Sequence, residues 1–181
     1  MEDHELVSQV LNGSDAAVKM LIERYQKLVA HMVSRVIDSS MDREEICQDV
    51  FVKVYEKLGT FQFESKLSTW IATIAYRVAV NFAKKRKLDQ VDLENISFKV
   101  GTEGDITAER DMSNFIHSLI DQLPVQYKTV LTLFYLEGFS YPEIMEVTGM
   151  PEGTVKNYIH RARIKLKKIV ELHAEKEVAL L

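Results

Sequence analysis

Residues 140–156 read SYPEIMEVTGMPEGTVK, and the fold turns on this stretch. Ser140 followed three residues later by Glu143 forms a capping box that starts a helix, Gly149 stops it, and Pro151 suits the first turn of the next helix. The first helix turns Ile144 and Val147 inward, and the second buries Val155, Ile159, Ala162 and Leu166 on one face. Two helices joined by a tight glycine turn make a helix-turn-helix, here over 140–168. The opposite face of the second helix is left to Lys156, Asn157, His160, Arg161 and Lys165. That set mixes cations suited to phosphate with side chains able to read base edges in a major groove. An ordinary helical hairpin with a basic surface has the same outline, but turn, caps and charge together favour a DNA-reading motif.

Upstream of the motif, helical signals run from about 107 to 122 and from 124 to 137, where Gly138 ends the pattern. These helices and the helix-turn-helix define a C-terminal domain over 108–181. Between 88 and 107 the helical period fades and Gly101 and Gly104 stand close together. From Asp89 to Asp111 the acids Asp92, Glu94, Glu103, Asp105 and Glu109 face only Lys99 and Arg110. The segment reads as an acidic flexible linker. The remaining 1–87 form an N-terminal bundle. Ser14 caps a helix to about 37, with Val18, Leu21, Tyr25, Leu28, Met32 and Val36 at three-and-four spacing. Asp42 and Glu45 give a capping-box-like start to a helix that runs to 58, with Gly59 as its stop. A short helix near 5–11 and a longer one from about 68 to 87 complete it. The fold class is all-α, with two small helical domains joined by the acidic linker.

Composition agrees with a folded chain: of 181 residues, 46% are hydrophobic and 28% charged. With only Cys47 there is no internal disulfide, and the chain opens Met1-Glu2-Asp3 without a basic stretch leading into an apolar run, so a cytoplasmic location with no membrane contact is expected. The most apolar stretches fall short of the roughly 20 residues a membrane span needs. A net charge of −4 argues against a nucleic-acid binder until its distribution is considered. Lys84-Lys85-Arg86-Lys87 is wholly basic, and Lys156, Arg161, Arg163, Lys165, Lys167 and Lys168 lie in a stretch without an acid.

Gly153-Thr154-Val155-Lys156, with His160-Arg161-Ala162-Arg163 and Lys165-Leu166, resembles the region 4 signature of extracytoplasmic-function (ECF) sigma factors, members of the sigma-70 family. Leu123-Pro124-Val125-Gln126-Tyr127 with Leu133, Tyr135 and Gly138 resembles the segment preceding it. The resemblance implies that the last helix reads the upstream, minus thirty-five promoter element through Lys156, Asn157, His160, Arg161 and Lys165, with Thr154 near the backbone. Met145 stands where the family usually has a small residue.

The N-terminal domain carries a second likeness. Residues 42–51, DREEICQDVF, are similar to the region 2.2 helix, which in that family docks on the clamp coiled coil of the polymerase largest subunit. Ile46, Cys47, Val50, Phe51, Val54 and Leu58 make its buried stripe, leaving Glu45, Gln48, Asp49 and Val52 outward; an acidic face with an apolar member suits a protein partner, or is a solvated face. Residues 61–72, FQFESKLSTWIA, resemble the loop and helix that open the downstream, minus ten element. Capture of unpaired bases needs aromatic faces and polar groups near cations, which Phe61, Phe63, Ser65, Lys66, Lys84 and Lys85 offer. Trp70, with Ile71, Ile74 and Val78 at helical spacing, reads as core. At Arg77 and Asn81 the family commonly has Asn and Asp, so a cation is gained and an acid lost beside that element. The resemblance implies RNA polymerase core as partner, through the clamp coiled coil and the second-largest subunit's flap, with promoter DNA and an anti-sigma factor.

Other classes fit less well. His4, His31, His117, His160 and His173 are scattered and no phosphate-cradling glycine loop is present, so no catalytic site, metal or cofactor is expected. A stand-alone helix-turn-helix regulator shares the reading helix but has no use for the 42–51 docking helix. A helical scaffold has no use for two basic clusters.

Overall fold

The computed structural model describes residues 1–90 and 108–178, with side chains for 1–86 and 114–173. Among the described residues there are eight α-helices and no strand: α1 (Asp3–Leu11), α2 (Asp15–Ser34), α3 (Ser40–Lys57), α4 (Leu67–Gln90), α5 (Ala108–Asp121), α6 (Val125–Leu131), α7 (Tyr141–Thr148) and α8 (Glu152–Val178). The all-α class is as the spacing predicts. The expected linker falls on residues outside those described, except that 88–90 continue α4 as helix.

Helix boundaries follow local chemistry. The Ser14 hydroxyl accepts the Ala17 N–H at 3.3 Å, closing one of the open donors at the start of α2. The start of α3 differs from expectation: Ser39 is the cap, its hydroxyl accepting from the Asp42 N–H at 3.3 Å, which puts Asp42 inside the first turn. Either residue type can cap, and Asp42 is instead bound to Arg86 of α4, an ion pair that ties the two helices. Gly59 does not end α3; the chain passes through a 3₁₀ turn, Leu58–Thr60, that contains it. Pro124 precedes α6 as its cap, and α6 widens into a π turn, Thr132–Leu136, before Gly138 takes up φ +69°.

α2 packs on α3 and α4, α3 on α4, and α1 lies on α2; α8 gathers α5, α6 and α7. The groups meet where α4 packs on α7. One apolar core runs through both, from Leu6, Leu21, Val29, Met32, Val50, Val54 and Ile71 to Val130, Leu133, Ile144 and Val155. A smaller cluster of Leu123, Leu131 and Ala162 sits under α8.

Polar groups seam the contact. Arg35, just past α2, is only 1% exposed. Its Nε donates to Thr132 Oγ1 at 2.8 Å, one of its terminal nitrogens binds the Asp121 carboxylate and the other faces Nδ1 of His117. His31 Nδ1 meets Glu137, and Lys128 lies 3.7 Å from Asp38. At the far end Lys66 sits 2.9 Å from Glu143, with Thr69 Oγ1 donating to the same carboxylate at 3.4 Å. The π turn serves this seam by presenting Thr132 at one end and Glu137 just beyond the other. A buried guanidinium left without its partner costs about 3–5 kcal/mol, so Arg35 fixes the arrangement as well as tolerating it.

Candidate nucleic-acid interface

The helix-turn-helix is built from its caps. The Glu143 carboxylate reaches back to accept the Ser140 N–H at 2.8 Å and the Ser140 hydroxyl at 2.6 Å. Burial would raise the Glu143 pKa, but these bonds and the Lys66 ammonium outweigh it and hold the carboxyl at about 2. Gly149 ends α7 at φ +71°, a left-handed position that glycine adopts without a Cβ penalty, and its N–H returns to Met145 O at 2.8 Å. Pro151 then stands just before α8, its carbonyl accepting from Thr154 and Val155, one step earlier than the first-turn place expected of it.

α8 buries Val155, Ile159 and Ala162, with Leu166 partly covered, and exposes Lys156, Asn157, His160, Arg161 and Lys165; Thr154 is half-buried at the start. Lys156 pairs with Glu152 at 2.6 Å, which raises its pKa, and lies 5.6 Å from the Tyr141 ring centre. Lys165 lies over Tyr127. Among the described residues Arg161, Arg163 and Lys168 form no salt bridge. Arg161 and Asn157, four residues apart on one face, are thus open to solvent with donors available.

The second group lies between the 3₁₀ turn and α4. Phe61 is buried, 5.3 Å from the Trp70 ring and 4.6 Å from Phe63. In this conformation it supports the loop, and Phe63 is the aromatic face that solvent reaches. Phe63 has φ +58°, unusual for a residue with a Cβ, and its ring stacks on His4 of α1 at 4.5 Å. His4 belongs to this aromatic column, a role that no sequence signal marked, since it lies 59 positions away. Trp70 is partly buried against the core. Ser65 is half-buried and Lys66 is committed to Glu143. Along α4, Arg77, Asn81, Lys84 and Lys85 are exposed and, at steps of four and three or four, line one face. Arg86 in the same basic run is taken by Asp42.

On α3, Ile46, Val50 and Val54 are buried and Cys47 and Phe51 half-buried, while Glu45, Gln48, Asp49 and Val52 are exposed. Met41 and Tyr55, 81% and 54% exposed, extend that face at the same three-and-four steps, giving a stripe apolar at its ends and polar in the middle. Both fall on the heptad of Glu45, Gln48 and Val52, so the spacing was the available signal. Burial pushes the Cys47 thiol up, opposite to what a nucleophile needs. Among the described residues no acid, histidine and cysteine cluster is arranged to hold a metal, and no helix is long and apolar enough to cross a membrane.

Residues 21–88 match the Sigma-70 region 2 family and residues 116–166 match Sigma-70, region 4. The ECF RNA polymerase sigma-E factor of Haemophilus influenzae is 34% identical, over 94% of this chain and 96% of its own. The chain belongs to the ECF group of the sigma-70 family. It is also similar to the RNA polymerase sigma-H factor of Pseudomonas aeruginosa, at 32% identity over 94% of each chain. In fold it resembles the sigma factor RpoE of Bartonella quintana, solved in complex with the anti-sigma factor NepR, with a TM-score of 0.67, 20% identity and coverage of 84% of this chain and 96% of that one. As an ECF sigma factor it gives RNA polymerase its promoter specificity through regions 2 and 4, and a stand-alone regulator is not favoured. Region 2 falls on α2, α3 and α4, and region 4 on α5 through α8.

Proposed function

We propose that the open face of α8, with Lys156, Asn157, His160, Arg161 and Lys165 outward and Thr154 at its start, reads the minus thirty-five element, while the 61–66 loop and the α4 face of Arg77, Asn81, Lys84 and Lys85 open the minus ten element. Residues 1–87 act as the region 2 domain and 108–181 as the region 4 domain. The α3 stripe of Glu45, Gln48, Asp49 and Val52, extended by Met41 and Tyr55, docks on the polymerase clamp coiled coil, and the C-terminal domain meets the flap. A cytoplasmic location accompanies this role, and no reaction is catalysed. An anti-sigma factor is a further partner, a reading supported by the likeness to RpoE held by NepR.

The observation that carries the DNA reading is the pair Asn157 and Arg161, exposed one turn apart on a helix whose other face is core. Asn suits adenine and Arg suits guanine, each bidentate contact discriminating by about 1–3 kcal/mol. Transcription with core polymerase on promoters randomised across the upstream element tests it. Arg161→Ala should relax preference at particular base pairs, and Lys168→Ala should weaken initiation evenly. Unchanged base preferences in Arg161→Ala would refute the assignment.

A further inference from the structure

The contact between the two halves is incompatible with reading both promoter elements at once, a statement that rests on the function proposed above. Elements centred at minus ten and minus thirty-five are about 25 base pairs apart, roughly 85 Å of duplex at about 3.4 Å per step. Here Lys66 of the melting loop is 2.9 Å from Glu143 of α7. From Glu143, the rest of α7 to Thr148 and the stretch of α8 from Glu152 to Arg161 add about 8 and 14 Å at about 1.5 Å per helical residue, and the turn between them adds at most about 13 Å at about 3.3 Å per residue. Arg161 and the melting loop therefore lie within about 40 Å, less than half the separation of the two elements, and a duplex with a persistence length of about 150 base pairs does not fold back over so short a span. Residues 91–107 can extend to roughly 60 Å at about 3.3–3.6 Å each, so parting the halves lies within the reach of the chain.

We propose that the seam around Arg35 is a proton-sensitive latch that holds the free chain in this closed, promoter-incompetent form and releases it on acidification. The switching group is His117. Its Nδ1 faces the Arg35 guanidinium, which can only donate, so that nitrogen must be an acceptor and the ring must be neutral while the latch is shut. Protonation removes the acceptor and sets a second cation against a buried one. The charged and titratable groups around it are Arg35 and His31 from the α2 side, Arg43 of α3 beyond Arg35, Asp121 of its own helix and Glu137 after the π turn. Burial, Arg35 and His31 lower the His117 pKa, and the two carboxylates only partly oppose them. His31 is no substitute for this switch, because the carboxylate it faces, Glu137, accepts a hydrogen bond from the neutral ring and attracts the charged one, so protonation there does not open the seam.

A lowered pKa in the closed form means that closure is fully favoured above the ordinary histidine range near 6.5 and weakens as pH falls through it. A ring that takes a proton only when open shifts the open-to-closed ratio about tenfold between pH 7.5 and 5.5. The groups that change charge in that window are imidazoles, since ordinary carboxylates titrate lower.

The test uses the whole chain without polymerase. Spin labels at Lys19→Cys and Lys167→Cys, both 78% exposed, in a Cys47→Ala background report the distance between α2 and α8 by dipolar spectroscopy. The expected result is a narrow short-distance population at pH 7.5, an open-to-closed ratio about tenfold higher at pH 5.5, and unchanged helicity by circular dichroism. His117→Asn, which offers an uncharged acceptor to Arg35, should stay closed at both pH values. A wild-type ratio that does not move, a shift accompanied by loss of helicity, or a His117→Asn chain that opens like wild type would overturn the latch. None of these readouts depends on transcription, so failure of the latch and failure of the promoter-reading assignment remain distinct.

Discussion

Replacing Glu143 by glutamine removes one charge from a carboxylate that serves two structures at once. Gln keeps the reach of the side chain and can still accept the Ser140 N–H, so the box survives in neutral form. The two Ser140 bonds, at 2.8 and 2.6 Å, lose their charge assistance. Charged hydrogen bonds are about twice as strong as neutral ones, a difference of roughly 1 kcal/mol in a net contribution. The ion pair to Lys66 also goes, but that lysine is 72% exposed, so screening limits its worth to about 0.5 kcal/mol. The sum, about 1.5 kcal/mol at neutral pH, corresponds to a fall in Tm of roughly 3–6 °C for a chain of this size. Because the folded carboxyl titrates at about 2, below the ordinary value, its contribution is present above the unfolded pKa near 4.5 and is lost as pH falls from there toward 2. Urea titrations of wild type and Glu143→Gln followed by circular dichroism should therefore differ at pH 7, with a gap that narrows below about pH 4.5 and closes toward pH 2. A cycle with Lys66→Met should return a coupling of about 0.5 kcal/mol between the two positions. Equal stabilities at pH 7, or a gap as large at pH 3 as at pH 7, would refute the account.

Gly149→Ala meets no atom within 4 Å, so its penalty is conformational alone: at φ +71° about 1–2 kcal/mol, visible as a lower thermal midpoint. Asp49→Lys combined with Gln48→Ala alters the exposed face of α3 without touching Val50 or Val54, and should weaken core polymerase binding in a titration while helicity is retained. Joint replacement of Phe63, Ser65 and Lys66 by Ala should reduce transcription from duplex promoters more than from templates already mismatched at the downstream element; equal losses would remove the loop from strand opening.

Much of the fold is legible locally because caps act locally. Ser14, the Ser140 and Glu143 pair and Gly149 each settle a boundary within four residues of themselves, and the apolar stripe of α8 follows from its period. Local sequence does not single out Ser39, because Ser39 and Asp42 are equally good caps, and what separates them is an ion pair to Arg86 more than forty positions away. The π turn leaves no trace in composition, since widening a helix by one residue needs no special side chain. Arg35 is the clearest case. A cation at a helix end reads as solvated, and only the carboxylate, hydroxyl and imidazole brought to it from the other half of the chain make its burial tenable. The candidate interfaces divide in the same way. The reading face of α8 follows from one helix's period, whereas the aromatic column needs α1 and α4 to converge on the loop, so spacing could list Phe61 beside Phe63 but could not say which one faces outward.

That aromatic column contains the chain's one tryptophan. Trp70 sits 5.3 Å from Phe61, which in turn lies beneath Phe63, so an indole emitter is built into the base of the loop assigned to strand opening. Its emission maximum and quenching follow the local polarity and packing of that loop without any attached dye. Mixing the unmodified chain with unpaired oligonucleotides in a stopped-flow fluorimeter, with excitation that selects the indole over the seven tyrosines, would time the rearrangement of the loop directly.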